Sequence, residues 1–80
     1  MAEKLKQDLS IGRNLRRLRL RAGFTQERAA IALQLRGIPV SREMISQMEQ
    51  GKYSIRISVL LALKELYHAE FADFFEGLEL

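Results

Sequence analysis

Apolar residues recur at helical spacing early in the chain. Four of them lie at positions i, i+4, i+7 and i+11: Ile11, Leu15, Leu18 and Ala22. This spacing places them on one stripe of an amphipathic helix. Ser10 precedes the stripe, where its hydroxyl can cap the helix, and Gly23 follows it, where a left-handed backbone closes a helix. The pattern predicts helix one from about Ile11 to Arg21.

The next two helices are predicted from residues that start and stop helices. Thr25 can accept a hydrogen bond from a first-turn amide, so it opens helix two, which we expect to reach about Leu35. The segment 36–40 contains Gly and Pro and is a connector, because both residues interrupt helical geometry. Ser41 opens helix three and Gly51 ends it. The outer face of helix three is polar and varied in hydrogen-bonding type.

Two further helices complete the predicted fold. Residues 57–66 carry an apolar stripe, and residues 70–76 hold three phenylalanines. No strand pattern, repeat or low-complexity segment is evident, so the fold class is all-α. The length of 80 residues suits a single domain, with a short N-terminal extension at 1–10 and a helical core at 11–76.

Side chains that support catalysis or metal binding are scarce. The chain has no Cys and one His, which leaves little for a metal centre or a His-based catalyst. No nucleophile-and-base pair and no glycine-rich phosphate loop is recognised. The sequence therefore predicts no catalytic residue, no metal, no cofactor and no small-molecule substrate. No apolar run of about 18 residues and no signal peptide is present, so we expect a cytoplasmic, nucleoid-associated protein without a membrane partner.

The net charge is only +3, but positive and negative residues are concentrated in different parts of the chain. Five arginines crowd the first third: Arg13, Arg16, Arg17, Arg19 and Arg21. Four acidic residues gather near the C-terminus: Glu70, Asp73, Glu76 and Glu79. A basic face of this kind suits a polyanion, because each neutralised phosphate releases counterions. The alternative is a solvated, arginine-rich helix, and the sequence alone leaves both open.

Several short motifs follow one another in a constrained order over about residues 11–75. They are Ile11-Gly12-x-x-Leu15-Arg16-x-Leu18-Arg19, then Gly23-Phe24-Thr25-Gln26-Glu27 with Ala30, and Ser41-Arg42-x-x-Ile45-Ser46-x-x-Glu49-x-Gly51-Lys52. This order resembles the Cro/repressor (XRE-type, lambda-repressor-like) helix-turn-helix family. The resemblance implies a compact five-helix DNA-binding domain, in which helices two and three form the helix-turn-helix. The connector 36–40 is longer than the family's commonest turn, so an extended turn is expected.

The resemblance implies that helix three reads the major groove of double-stranded DNA. Its pattern places Arg42, Glu43 and Gln47 on the reading face, where Arg suits guanine, Glu suits cytosine and Gln suits adenine. Ser46 lies on the same helix and joins the predicted base-reading set. The alternative is that these are ordinary solvated polar residues.

Contacts to the DNA backbone are expected on either side of helix three. The resemblance assigns such a contact to Gln26, in the first turn of helix two. Ser41, Lys52, Tyr53 and Arg56 are further candidates, since they begin or follow the reading helix. Exposed Lys and Arg also occur without any binding role.

Two other groups are given architectural roles. The resemblance suggests an ion pair of Arg19 with Glu49 that ties helix one to the end of helix three. A domain of this size cannot easily bury every apolar residue near the C-terminus, so part of that cluster is a candidate dimer surface: Phe71, Phe74, Phe75 and Leu78.

Two functions from different classes follow from these observations. The first is a homodimeric, sequence-specific transcriptional regulator, a repressor, bound to a near-palindromic operator. The second is a protein-interaction module such as an antitoxin or bridging cofactor, with the acidic aromatic C-terminus as its docking surface. An exposed apolar patch in place of an exposed Arg42 and Gln47 face would favour the second function.

Overall fold

The elements follow the predicted order. A computed structural model describes residues 4–5, 7–52 and 54–80 of the chain. Its elements are β1 (Lys4–Leu5), α1 (Gly12–Arg21), α2 (Gln26–Leu35), α3 (Arg42–Glu49), β2 (Ile55–Arg56), α4 (Ile57–Leu66) and α5 (Phe71–Phe74). The predicted five-helix, mostly helical fold is confirmed.

Side-chain caps set the starts of α2 and α3. Thr25 accepts a hydrogen bond from the backbone N–H of Arg28 at 3.0 Å, and Ser41 accepts one from Met44 at 3.1 Å. Each satisfies an amide that the first helical turn leaves without a partner. Ser10 acts one residue earlier than an N-cap, because its hydroxyl accepts from the N–H of Gly12 at 3.0 Å.

Helices α1 and α3 cross at very close range. Gly12, at the start of α1, is buried, and a Cβ atom at this position would collide with the backbone carbonyl of Glu49 at the end of α3. Only glycine leaves room for this approach. The crossing brings the side chains of Leu15 and Ile45, both 2% exposed, into one hydrophobic core.

The extended turn between α2 and α3 is closed by its own hydrogen bonds. Gly37 has a φ of 80°, and the N–H of Ile38 donates to the carbonyl of Leu33 at 3.0 Å. The side-chain amide of Gln34 donates to the carbonyl of Val40 at 3.0 Å, and Val40 is buried. These contacts fix the direction in which α3 leaves the connector.

A two-residue antiparallel ladder adds to the helices. Lys4 pairs with Arg56 and Leu5 pairs with Ile55. The sequence analysis predicted no strand, because a two-residue segment is too short to show alternation. The ladder lays the N-terminal segment beside the start of α4.

Two features are absent from the part of the chain that the structure describes. None of its helices has the length and apolar character needed to cross a membrane. No group of three His, Asp or Glu side chains there lies close enough together to hold a metal ion.

Candidate nucleic-acid interface

Helix α3 separates an apolar face from a polar one. Ile45 and Met48 are 2% and 3% exposed and face the core. Arg42, Glu43 and Gln47 are exposed on the other side of the helix. The cap at Ser41 holds the first turn of α3, where the predicted reading residues begin. The helix therefore presents to solvent the polar side chains that the sequence analysis singled out.

Most of the polar groups on this face are paired with one another. Arg42 Nη2 lies 3.5 Å from Glu43 Oε2, and the hydroxyl of Ser46 accepts from the amide of Gln50 at 3.0 Å. Gln47 forms no side-chain hydrogen bond with any other residue that the structure describes. Its amide can both donate and accept, which is the pattern that an adenine edge requires.

A buried ion pair fixes the end of α3. Arg19 donates to both carboxylate oxygens of Glu49, from Nε at 2.7 Å and from Nη2 at 3.1 Å. Arg19 Nη1 also donates to the carbonyl of Phe24 at 2.9 Å. One guanidinium therefore connects three parts of the domain: helix α1, helix α3, and the turn that precedes α2. The hydrogen bonds to Glu49 raise the pKa of Arg19 above its ordinary value, while desolvation acts in the opposite direction. The structure thus brings together the two residues predicted as an architectural pair.

Gln26 belongs to the same buried cluster. Its side-chain amide donates to Glu49 Oε1 at 3.1 Å, and the residue is half-buried. The sequence analysis predicted a contact of Gln26 with the DNA backbone and no contact with Glu49. In the free protein this side chain links the start of α2 to the end of α3.

The other candidate backbone contacts lie around α3. Ser41 is half-buried and its hydroxyl caps α3, while Lys52 and Arg56 are exposed beyond the other end of that helix. Gly51, with a φ of 75°, turns the chain so that the Lys52 N–H donates to the carbonyl of Gln47 at 3.0 Å. Tyr53, also predicted as a backbone contact, lies outside the described residues.

Comparison with known proteins decides the family. A family model described as a helix-turn-helix domain matches residues 10–73, which is most of the chain. This chain belongs to the helix-turn-helix domain family. Within that family it is of the Cro/repressor (XRE) class, as its motifs indicated. No curated protein and no solved structure gave a significant match. Helix-turn-helix domains of this family are typically non-enzymatic DNA-binding regulators.

The five arginines of α1 differ in their surroundings. Arg17 donates to the carbonyl of Asp73 at 3.1 Å and lies 3.7 Å from the Glu76 carboxylate. Arg21 donates to the carbonyl of His68 at 3.3 Å and lies 3.9 Å from Asp73 Oδ2. With Arg19 buried, three of the five arginines contact other parts of this domain. The basic helix and the acidic C-terminal segment therefore contact each other through Arg17 and Arg21, whereas Arg13 and Arg16 are exposed and form no ion pair with other described residues.

The aromatic cluster near the C-terminus divides between core and surface. Phe74 is 0% exposed, so its inclusion in a candidate dimer surface was wrong, because its ring lies in the hydrophobic core. Phe71 and Phe75 are 46% and 45% exposed, and Leu78 is half-buried. Lys64 places its ammonium 5.0 Å from the ring centre of Phe71, which covers part of that ring.

The sequence analysis missed Asn14, a residue that organises this helix-turn-helix domain. Its buried side-chain amide donates to the carbonyls of Phe74 and Glu76, both at 2.9 Å, and so ties α1 to the end of α5. The signal was its position, three residues after Ile11 and four before Leu18, which places a polar residue on the predicted apolar stripe. A polar group at such a position forms hydrogen bonds inside the protein.

Proposed function

We propose that this domain is a sequence-specific DNA-binding transcriptional regulator that inserts α3 into the major groove. One observation carries the proposal: α3 exposes Arg42 and Gln47 on its first two turns, while the buried Arg19–Glu49 pair fixes its far end. A rigidly held helix with donors and acceptors of different types can read base edges, because each base pair has a distinct pattern in the major groove.

The reading residues differ in how readily they reach a base. Gln47 has no competing side-chain partner among the described residues and is the direct candidate for adenine. To contact guanine, Arg42 must first leave its ion pair with Glu43. The loss of that pair costs little free energy, because an exposed ion pair contributes about 0–1 kcal/mol. Ser46 accepts a hydrogen bond from the Gln50 side chain on the outer face of α3. Together these two side chains offer a second group of donors and acceptors for a base edge.

Phosphate contacts supply affinity and orientation. Lys52 and Arg56 follow α3 and are exposed, while Ser41 and Gln26 stand at the starts of α3 and α2. Charged contacts of this kind make binding sensitive to salt. Each phosphate contact that is removed lowers the slope of log affinity against log salt concentration by about one.

The proposed form is a homodimer that acts as a repressor. The half-exposed rings of Phe71 and Phe75, with Leu78 beside them, supply apolar surface for a second copy. A two-fold dimer sets its reading helices in successive major grooves, about 34 Å apart, on a near-palindromic operator. Repression then follows from exclusion of polymerase.

The protein-interaction module is the less favoured function. Its distinguishing feature was an apolar patch in place of an exposed Arg42 and Gln47 face, and both of those residues are exposed. The exposed phenylalanines are compatible with a protein partner, but they serve equally in a dimer.

Selection from random-sequence duplex DNA tests the proposal. The full chain is compared with Arg42→Ala/Gln47→Ala, and with Arg36→Ala as a matched control, because Arg36 is also an exposed arginine in an exposed ion pair, with Glu65. We expect a palindromic motif that the double variant loses and the control retains. In a salt series, Lys52→Ala lowers the slope by about one and Lys64→Ala leaves it unchanged. Motif-free binding that is the same for all variants would overturn the proposal.

A further inference from the structure

A cavity lies beside the reading helix. Its volume is about 290 Å³, it is open to solvent, and it is lined by the extended connector, α3 and the start of α4. Ile38 and Val40 contribute from the connector, and Met44 and Met48 contribute from one face of α3. The connector that lengthens the turn therefore also forms one wall of this cavity.

The cavity combines an apolar wall with a cationic edge. Two flexible thioether side chains line it, and methionine adapts to ligands of varied shape. Arg56 and Ser58 line it on the α4 side. Arg56 is exposed and forms no ion pair with other described residues, whereas Arg17, Arg19, Arg21, Arg36 and Arg42 each have one. The cavity has an apolar wall, and at its edge lies the Arg56 guanidinium without a carboxylate partner among the described residues. This combination suits a molecule that has an apolar body and one anionic group.

We propose that this cavity binds a small organic carboxylate, with its apolar body between the connector and α3 and its carboxylate on Arg56. A volume of about 290 Å³ corresponds to about ten water-sized groups. A pocket of this size and lining accommodates an aryl or branched aliphatic monocarboxylate of up to about ten non-hydrogen atoms.

Occupation of the cavity opposes DNA binding, an effect that rests on the proposed function. A carboxylate bound to Arg56 offsets the positive charge that would otherwise attract a DNA phosphate there. Met44 lies three residues before Gln47, so the two side chains are neighbours on the surface of α3. A ligand packed on Met44 displaces the side of α3 that carries the unpaired reading residue. The carboxylate would thus act as an inducer that releases the operator.

The first test measures ligand binding without DNA. The full chain is titrated with benzoate and with 4-methylpentanoate while amide shifts are followed by NMR. Benzamide serves as the neutral control of the same shape. We expect saturable shifts centred on residues 38–48 and 56–59, with a dissociation constant at or below about 1 mM. Benzamide should bind at least tenfold more weakly.

Three variants locate the site. Arg56→Gln removes the charge and should weaken benzoate binding at least tenfold, whereas Arg56→Lys should retain part of it. Ser58→Phe places a ring in the cavity and should abolish binding. Both positions are exposed, so the fold is expected to persist. Arg13→Gln alters an exposed arginine outside the cavity lining and should leave benzoate affinity unchanged.

A second measurement separates failure of this inference from failure of the proposed function. Saturating benzoate should lower the affinity for the selected operator at least fivefold. Saturable, Arg56-dependent binding in a chain that selects no DNA motif would establish the carboxylate site and overturn the regulator. Specific DNA binding without saturable shifts from either acid, up to about 10 mM, would overturn the carboxylate site alone. Equal affinity for benzoate and benzamide would do the same.

Discussion

The guanidinium of Arg19 forms two hydrogen bonds with the carboxylate of Glu49 inside the domain. Their closest atoms, Nε and Oε2, are 2.7 Å apart, and the two side chains are only 7% and 5% exposed. Both oxygens of the carboxylate are used, and one also accepts from Gln26. This pair connects the basic helix α1 with the last turn of α3. The orientation of the proposed reading helix therefore depends on a charged pair, Arg19 with Glu49, that is buried away from water.

Removal of the Glu49 carboxylate should destabilise the domain strongly. Glu49→Met leaves Arg19 buried without its partner, and we expect a loss of about 3–5 kcal/mol in the free energy of unfolding. The double variant Arg19→Met/Glu49→Met should recover a large part of that loss, because no uncompensated charge remains. Urea unfolding monitored by circular dichroism measures both changes. The exposed pair of Arg36 with Glu65 is the control, and Arg36→Met should cost about 0–1 kcal/mol. Equal losses in the buried and exposed pairs would contradict this account.

Gly12 should tolerate no side chain. Gly12→Ala forces a methyl group against the Glu49 carbonyl, so α1 and α3 must move apart, at an expected cost of about 1–3 kcal/mol or more. Gly23→Ala is the comparison variant. A Cβ at this position would have no atom within 4 Å, but the φ of 84° is a left-handed backbone conformation that alanine disfavours. Its cost of about 1–2 kcal/mol comes from backbone strain alone. Only Gly12→Ala should also shift the NMR resonances of α3, and an unshifted α3 would count against the close contact.

Asn14 should hold the C-terminal helix in place. Asn14→Leu keeps the branched shape of the side chain but removes the donor to the buried carbonyl of Phe74 and to the part-buried carbonyl of Glu76, at a cost of about 1–3 kcal/mol. Amide hydrogen exchange should accelerate in α5 before it does so in α2 or α3. The exposed Arg16→Leu, on the same helix, is the control and should change neither stability nor exchange. A uniform loss of protection over the whole domain would contradict a local role.

Stability should fall at alkaline pH through Tyr67. This residue is 2% exposed, and burial raises the pKa of its phenol above the ordinary value of 10.0, with the charge of Glu49 acting in the same direction. Below pH 10 the Tyr67 phenol is protonated in both the folded and the unfolded chain, so the stabilisation that comes from burying a neutral phenol is fully present. Above that pH the unfolded chain loses the proton first, and the free energy of unfolding falls by up to about 1.4 kcal/mol per pH unit.

Tyr67→Phe tests this assignment. Urea unfolding at a series of pH values from 8 to 11.5 compares the variant with the parent chain. The difference between the two should stay constant below about pH 10 and then move in favour of the variant. Parallel curves over the whole range would show that Tyr67 does not titrate on unfolding.

Much of the helical framework could be read from local chemistry. Thr25 and Ser41 were predicted to open α2 and α3, and each accepts a hydrogen bond from the third residue after it. Such caps involve residues close in sequence, so their geometry follows from the residue types alone. The apolar stripe at Ile11, Leu15 and Leu18 was likewise confirmed as buried. The exposure of Arg42, Glu43 and Gln47 on α3 followed from the same periodicity together with the family motif.

Residues distant in the sequence were predicted less well. The sequence showed that α1 is rich in arginine, but only the tertiary packing determines that Arg17 contacts the carbonyl of Asp73 in α5 and that Arg21 contacts the carbonyl of His68 before it. Phe74 was included with its neighbours in a candidate dimer surface, because the spacing of the three phenylalanines does not by itself indicate which ring faces inward. The two-residue ladder with Ile55–Arg56 was also unpredicted, because it pairs segments about fifty residues apart.

By itself, the sequence determined the number and order of the helices, the caps that open α2 and α3, the apolar stripe of α1, and which family the motifs belong to. These properties depend on hydrogen bonds and side-chain spacing within one or two helical turns. The tertiary structure alone decided which arginines of α1 lie near a carboxylate, which phenylalanine is buried, and that the extended connector borders a cavity beside Met44. Those outcomes depend on contacts between helices, where the partner of a charge or a ring is set by three-dimensional packing and not by its neighbours in the chain.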